Sequence, residues 1–170
     1  LLALQLVWPA PGALAQRSPE KVFGGQVLLS DKRFPTADKS VARFISRVKV
    51  NQKKSIWEDP ATQEWSVHML AFFKQGLPDL KYTVHVFDIT ERTRRLVSSM
   101  DQYAGDRGLM SLSTSLVLAR KDLGANRKIM ITITSGGKTL ATGRINLLGK
   151  VIRKDGVVDF SDAATQQASQ

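Results

Sequence analysis

Cysteine is absent from the 170-residue sequence, and histidine occurs only twice, as His68 and His85. The missing thiols exclude disulfide bonds, thiolate metal sites, a cysteine nucleophile and a lipid anchor attached through cysteine. Two histidines also provide too few ligands for a histidine-rich metal centre. We therefore expect no metal site and no cofactor.

Sequence motifs that carry catalysis are also missing. The chain has no Gly-x-Ser-x-Gly nucleophile elbow, no HExxH zinc motif and no DxDxDG calcium loop. His68 and His85 lie on two consecutive predicted strands and could face each other in some registers, as an acid–base or metal-binding pair. Strand histidines are more often ordinary cross-strand residues, so we expect a non-catalytic protein. An enzyme using these two histidines is the weakest alternative.

Acidic residues are scarce relative to basic ones. The chain has 15 Asp and Glu against 25 Lys and Arg, and its net charge is +10. Such a charge attracts nucleic acid, anionic lipid, acidic polysaccharide or an acidic protein, although many basic proteins have no anionic partner. No RRM, KH or helix-turn-helix signature is present, which argues against nucleic acid.

The first 15 residues contain no charged side chain and end in Ala13-Leu14-Ala15. An apolar stretch before a small-x-small sequence is typical of a secretory signal peptide and its cleavage site. We expect residues 1–15 to be such a signal, truncated at its start, and Gln16 to begin the mature, exported chain, in the periplasm or outside the cell. A transmembrane segment needs about 20 apolar residues, more than this stretch provides.

Short segments of alternating apolar and polar residues fill the chain from Glu64 to Leu147. Alternation with a period of two is typical of strands with one buried face. We expect residues 64–74 and 81–89 to form a hairpin, and Gly136-Gly137 to turn a second hairpin tightly, since glycine reaches positive φ without steric cost. Further strands are predicted at 22–29, 95–103 and 109–119, with a short edge strand at 157–160.

One stretch, residues 37–50, has helical periodicity, with Thr36 as its expected N-cap. The sequence therefore predicts a mainly all-β fold: an antiparallel β-sandwich of about seven or eight strands, immunoglobulin-like or C2-like in architecture, with one short helix after the first strand. The expected layout is a linker at 16–21, a single domain at 22–160 and a disordered tail at 161–170.

Basic residues concentrate in two stretches that form a candidate anion-binding surface: Lys39, Arg43, Arg47, Lys49, Lys53 and Lys54 in the first, and Arg92, Arg94 and Arg95 in the second. Trp57, beside a turn, is the candidate for an exposed aromatic residue. The first functional hypothesis is an exported module that binds a protein partner or belongs to an envelope assembly. The alternative is a protein that binds an anionic envelope polymer, such as polysaccharide, or lipid through these basic residues.

Overall fold

The hairpin around Gly136-Gly137 is the centre of the sheet. In the computed structural model, which describes residues 18–150, strand β7 (Arg127–Ser135) pairs antiparallel with β8 (Lys138–Leu148). Both turn glycines have positive φ, 55° and 76°, as a tight turn between twisted strands requires. The predicted hairpin is confirmed.

Six further strands join this hairpin in one sheet with the order β5-β4-β7-β8-β1-β3-β6, and β2 pairs with β8. The additional strands are β1 (Gln26–Ser30), β2 (Ser55–Trp57), β3 (Glu64–Phe72), β4 (Lys81–Asp88), β5 (Arg95–Tyr103) and β6 (Ser111–Ala119). Strands make up 48% of the structure, so the protein is all-β.

The sheet is mixed and curled into a half-barrel, and the predicted antiparallel sandwich is not confirmed. Both parallel pairings involve β8, which meets β1 at Gln26 and Thr142 and meets β2 near its own carboxyl end. Gly143 lets β1 approach β8 closely, because a Cβ atom at this position would collide with the backbone oxygen of Val27.

The expected hairpin between residues 64–74 and 81–89 is wrong. β3 pairs with β1 and β6, whereas β4 pairs with β5 and β7. Alternation shows which residues are strands, but the choice of partner depends on contacts far apart in the sequence, which a five-residue loop does not determine.

The concave face of the curled sheet holds the larger core. Its members include Val27, Trp65, Val84, Ile131 and Leu147, all no more than 3% exposed. Trp65 is fully buried, and its indole Nε1 donates a hydrogen bond to Leu148 O at 2.9 Å. Burying the ring and satisfying its one donor stabilises the junction between β3 and the end of β8.

Two helices cover the convex face of β1 and β3. Helix α1 (Pro19–Phe23) and helix α2 (Val41–Asn51) pack with Leu28, Leu70 and Phe72 in a second core. Helix α1 occupies part of the expected linker and of the expected first strand, which begins at Gln26 instead of residue 22. A further short helix, α3 (Arg120–Leu123), follows β6.

Helix α2 begins four residues later than the predicted stretch, and its cap is Ser40 instead of Thr36. The Ser40 hydroxyl accepts a hydrogen bond from Arg43 N at 3.2 Å, which satisfies one of the free donors of the first turn. The helix buries Val48 completely and Phe44 and Ile45 in part, whereas Val41 is 36% exposed.

Several sequence predictions concern residues that lie outside the described range. These are the signal peptide at 1–15 with its cleavage before Gln16, the edge strand at 157–160 and the tail at 161–170.

Candidate anion-binding face

The convex face of the β7–β8 hairpin brings three basic residues together. Lys128 pairs with Asn146 in the ladder, and Arg144 is two residues from Asn146 on the same side of β8. Lys54 joins them because its carbonyl oxygen accepts a hydrogen bond from Asn146 N at 2.9 Å. Lys54, Lys128 and Arg144, here called the basic face, line one shallow cavity of about 310 Å³.

The side chains of the basic face lack acidic partners. None of the three forms an ion pair with a carboxylate within residues 18–150, and Lys54, Lys128 and Arg144 are all exposed. The partly exposed Ile89 lines the same cavity. An anionic group that binds there meets positive charge that no carboxylate of the described residues neutralises.

A second cavity, of about 530 Å³, lies where β4 ends at Asp88, β5 begins at Arg95 and β7 begins at Arg127. Arg94, Arg95 and Arg127 line it together with Asp88 and Glu91, and we call this the arginine cavity. The two cavities share no lining residue; Arg127 and Asp88 line the arginine cavity, and Lys128 and Ile89, which follow them in the chain, line the basic face.

Asp88 is the buried carboxylate that organises the arginine cavity. It lies 3.5 Å from Arg95 and 3.7 Å from Arg127, and its side chain is 7% exposed. Desolvation raises the pKa of Asp88, but hydrogen bonds from Thr90 and the charges of the two arginines outweigh this and hold the pKa below its ordinary value. Asp88 therefore stays ionised and fixes two of the cavity's three arginines.

Arg94 is held in a different way. Its guanidinium carbon lies 4.2 Å from the centre of the Phe87 ring, a cation–π arrangement, and within residues 18–150 it forms no ion pair with a carboxylate. Arg92 is exposed in the same loop but lines neither cavity.

Trp57, the aromatic residue expected at the surface, is 67% exposed. It pairs with Leu148, two residues beyond the Ser55–Asn146 pair, and so stands on the same convex side of the sheet as Arg144. An exposed indole beside the basic face provides a flat surface on which a sugar ring or a base can stack.

Apart from Lys54, the residues of the first basic stretch do not join this surface. Arg43 and Arg47 lie 3.4 and 3.1 Å from Asp38, which precedes the helix and partly neutralises both. Lys39 and Lys49 are exposed but do not line the basic face. Lys53 does not line it either; its backbone N–H donates a hydrogen bond to Leu29 O. Of the nine proposed anion-binding residues, the structure brings Lys54, Arg94 and Arg95 to the two cavities.

The two histidines do not form a pair. His68 is on β3 and His85 on β4, and three strands, β7, β8 and β1, lie between them in the sheet. His85 instead contacts Thr134 Oγ1 at 3.0 Å and Ser99 Oγ at 3.1 Å. Across residues 18–150, no group of three or more potential ligands is placed to hold a metal ion.

Sequence reasoning missed Arg127, Lys128 and Arg144 as site residues. A signal for them exists in the hairpin, since counting back from Gly136-Gly137 places residues near Lys128 opposite residues near Arg144. The meeting of Lys54 with this hairpin had no comparable signal, because it depends on the parallel pairing of β2 with β8.

Within residues 18–150, no helix is long and apolar enough to span a bilayer.

Comparison with known proteins adds little. No family model matches the sequence, and no curated protein matches it. One solved structure that is similar is a β-glucosidase from Listeria innocua in complex with gluconolactone, at 10% sequence identity and a TM-score of 0.35. The match covers 59% of this chain and 15% of that chain. A likeness of this extent carries no argument about the fold or function of the present protein.

Proposed function

We propose that this protein is an exported, non-catalytic binding module whose basic face binds an acidic polysaccharide. The observation that carries the proposal is the convergence of Lys54, Lys128 and Arg144, from three separate stretches of the chain, on one cavity without acidic partners among the described residues. Export is part of the proposal and rests on residues 1–15.

The charge distribution supports an extended ligand over a single small anion. Lys54, Lys128 and Arg144 line one cavity and Arg94, Arg95 and Arg127 line another, so positive charge is spread over two separate places on the protein. Both cavities are shallow, and neither encloses a small molecule as a buried binding pocket does. A polymer with regularly spaced negative charges is long enough to reach more than one group of basic residues.

Trp57 supports a ligand built from rings. Its exposed indole stands on the same side of the sheet as the basic face, and aromatic side chains stack on the apolar faces of sugars. Anionic groups would bind the lysines and arginines while one sugar unit covers the indole.

The proposal of a non-catalytic role is supported by the placement of the titratable groups. Three strands separate His68 from His85, and the Asp88 carboxylate is paired with Arg95 and Arg127. A role in protein interaction or envelope assembly, the first hypothesis from the sequence, is the second candidate, because an acidic protein surface could occupy the same basic face.

Binding should be measured by calorimetry with polygalacturonate and heparin, at low and physiological salt, on the chain that starts at Gln16. Neutral dextran, vesicles with and without anionic phospholipid, and an acidic protein serve as comparison ligands. We expect binding to the two acidic polysaccharides that weakens steeply as salt rises, because charge at an exposed site is screened over about 8 Å at physiological ionic strength. Equal binding to dextran, or binding only to anionic vesicles or to the acidic protein, would overturn the proposal.

A further inference from the structure

A row of polar side chains crosses the sheet where strands β1, β3 and β6 lie side by side. Ser30 of β1 pairs with His68 of β3, and His68 pairs in turn with Ser115 of β6. Directly opposite residues of antiparallel strands place their side chains on the same face of the sheet. Leu70, two residues after His68, lies on that face too and belongs to the second core. The imidazole of His68 therefore lies on the convex face, at the border of the second core.

A cavity of about 320 Å³ lies over the β3 and β6 part of this row. The loop after β1 lines it with Arg33 and Phe34, and the two strands line it with His68, Ser113 and Ser115. Phe34 is only 6% exposed and packs in the second core. This packing fixes the loop beside the strands and so holds the backbone of Arg33 at the cavity.

The polar side chains that line this cavity can all donate hydrogen bonds, and none of them is acidic. Arg33 has five N–H donors and a fixed positive charge, each hydroxyl has one donor, and the histidine ring has at least one. Among residues 18–150, the side chains of Arg33, His68, Ser113 and Ser115 form no ion pair and no hydrogen bond. The cavity thus collects donors that the described part of the chain does not use.

The loop after β1 also contains two carboxylates, and neither of them lines the cavity. Asp31 accepts a hydrogen bond from Ser30 Oγ at 3.4 Å. Asp38 lies 3.4 and 3.1 Å from two arginines of α2 and is paired with them. No carboxylate of the described residues therefore neutralises the charge that Arg33 brings to the cavity.

We propose that this cavity, here called the serine cavity, binds one tetrahedral oxyanion: a phosphate or sulfate group, either as the free ion or as a small ester. Its donors come from three directions, since Arg33 is in the loop, His68 on β3 and the two serines on β6. A tetrahedral anion can accept hydrogen bonds from all three, whereas the oxygens of a carboxylate lie in one plane with their carbon. The serine cavity contains no residue of the basic face and does not depend on the function proposed above.

The two histidines make this site directly observable by NMR of the full chain. His68 lines the serine cavity, and His85, separated from it by three strands, is the internal control. Sodium sulfate and sodium phosphate are titrated at constant pH, with chloride adjusted to keep the ionic strength constant. The ring signal of His68 should shift along a saturating curve, and that of His85 should stay in place. Acetate, a planar anion, should bind at least tenfold more weakly.

Three results of this titration would overturn the proposal. They are equal shifts of both histidine rings, a His68 shift that does not saturate, and an acetate affinity equal to that of sulfate. Each would show that the anions act through the overall charge of the protein instead of a shaped site.

Arg33→Gln and Lys32→Gln are matched variants, because each removes one exposed positive charge from the same loop, and Lys32 does not line the cavity. Sulfate affinity should fall at least tenfold in Arg33→Gln and less than threefold in Lys32→Gln, since charge-assisted hydrogen bonds to the anion are lost only in the first. An unchanged His85 ring signal shows that the sheet remains folded in both. Equal losses in the two variants would contradict the proposed site.

Esters distinguish the two sources of the oxyanion. If glucose 6-phosphate or glucose 6-sulfate binds at least as tightly as the inorganic ion, the ligand is an esterified group; weaker binding of both identifies the free ion. Neutral glucose should not shift the His68 ring, and a glucose shift as large as that of the esters would overturn the proposal. Lys128→Glu on the basic face should leave the sulfate titration unchanged, so this test and that of the basic face fail independently.

Discussion

Replacing Lys128 with glutamate should weaken the binding of an acidic polysaccharide about 30-fold, if the basic face is the binding surface. Lys128 is exposed, so the interaction is calculated with a dielectric constant near that of water. Two unit charges 4 Å apart then attract by about 1 kcal/mol. Charge reversal replaces this attraction with a repulsion of similar size, and the resulting change of about 2 kcal/mol corresponds to about 30-fold in affinity.

The matched control is Lys138→Glu, which changes the net charge equally. Lys138 is also an exposed lysine of the β7–β8 hairpin, but it lies at the turn, seven β7 residues away from Lys128 at about 3.3 Å each. That separation is several times the screening length of about 8 Å at physiological salt. Calorimetry with polygalacturonate should show a loss for Lys128→Glu and less than a twofold change for Lys138→Glu. Equal losses would refute the reasoning, because they would show that only the overall charge matters.

Three further substitutions test the supporting structure. Asp88→Asn should lower the free energy of unfolding by about 1 kcal/mol at pH 7, because its ion pairs are partly exposed. Since folding lowers the pKa of Asp88, its contribution is complete above the unfolded value near 4 and is lost as pH falls through the folded value. Denaturant titrations of wild type and Asp88→Asn should therefore converge toward acidic pH; a constant gap would contradict this account. Ser40→Ala should cost about 1 kcal/mol in the same assay through loss of the α2 cap, whereas no change would show that the cap is unimportant. Gly143→Ala should cost about 1–3 kcal/mol because its methyl group would collide with Val27 O, and an unchanged midpoint would show that β1 can move away.

Local patterns predicted the elements of this fold better than their arrangement. Gly136-Gly137 between two β-branched segments was enough for the β7–β8 hairpin, because turn and register are set within a few residues. The partners of β3 and the parallel contacts of β8 were not predictable in this way, since they depend on side chains far apart in the sequence. Helix α1 escaped detection because its five residues are too few to show a helical period.

The candidate site shows the same division between local and distant information. Arg94 and Arg95 were proposed from their clustering in the sequence, and they do line a cavity. Arg43 and Arg47 were proposed on the same ground, yet Asp38 lies against both, a contact that clustering of like charges does not reveal. A run of basic residues predicts charge at a surface, whereas the acidic groups that approach it decide how much remains uncompensated.

The most direct test of the central claim is NMR mapping of the bound polysaccharide on the chain that starts at Gln16. Titration with polygalacturonate oligomers should shift the amide signals of Lys54, Lys128 and Arg144 and the indole signal of Trp57. The signals of Lys39, which precedes α2, and of Arg47 on α2 should stay in place. Shifts centred on α2, with the signals of the β7–β8 hairpin unchanged, would contradict the account.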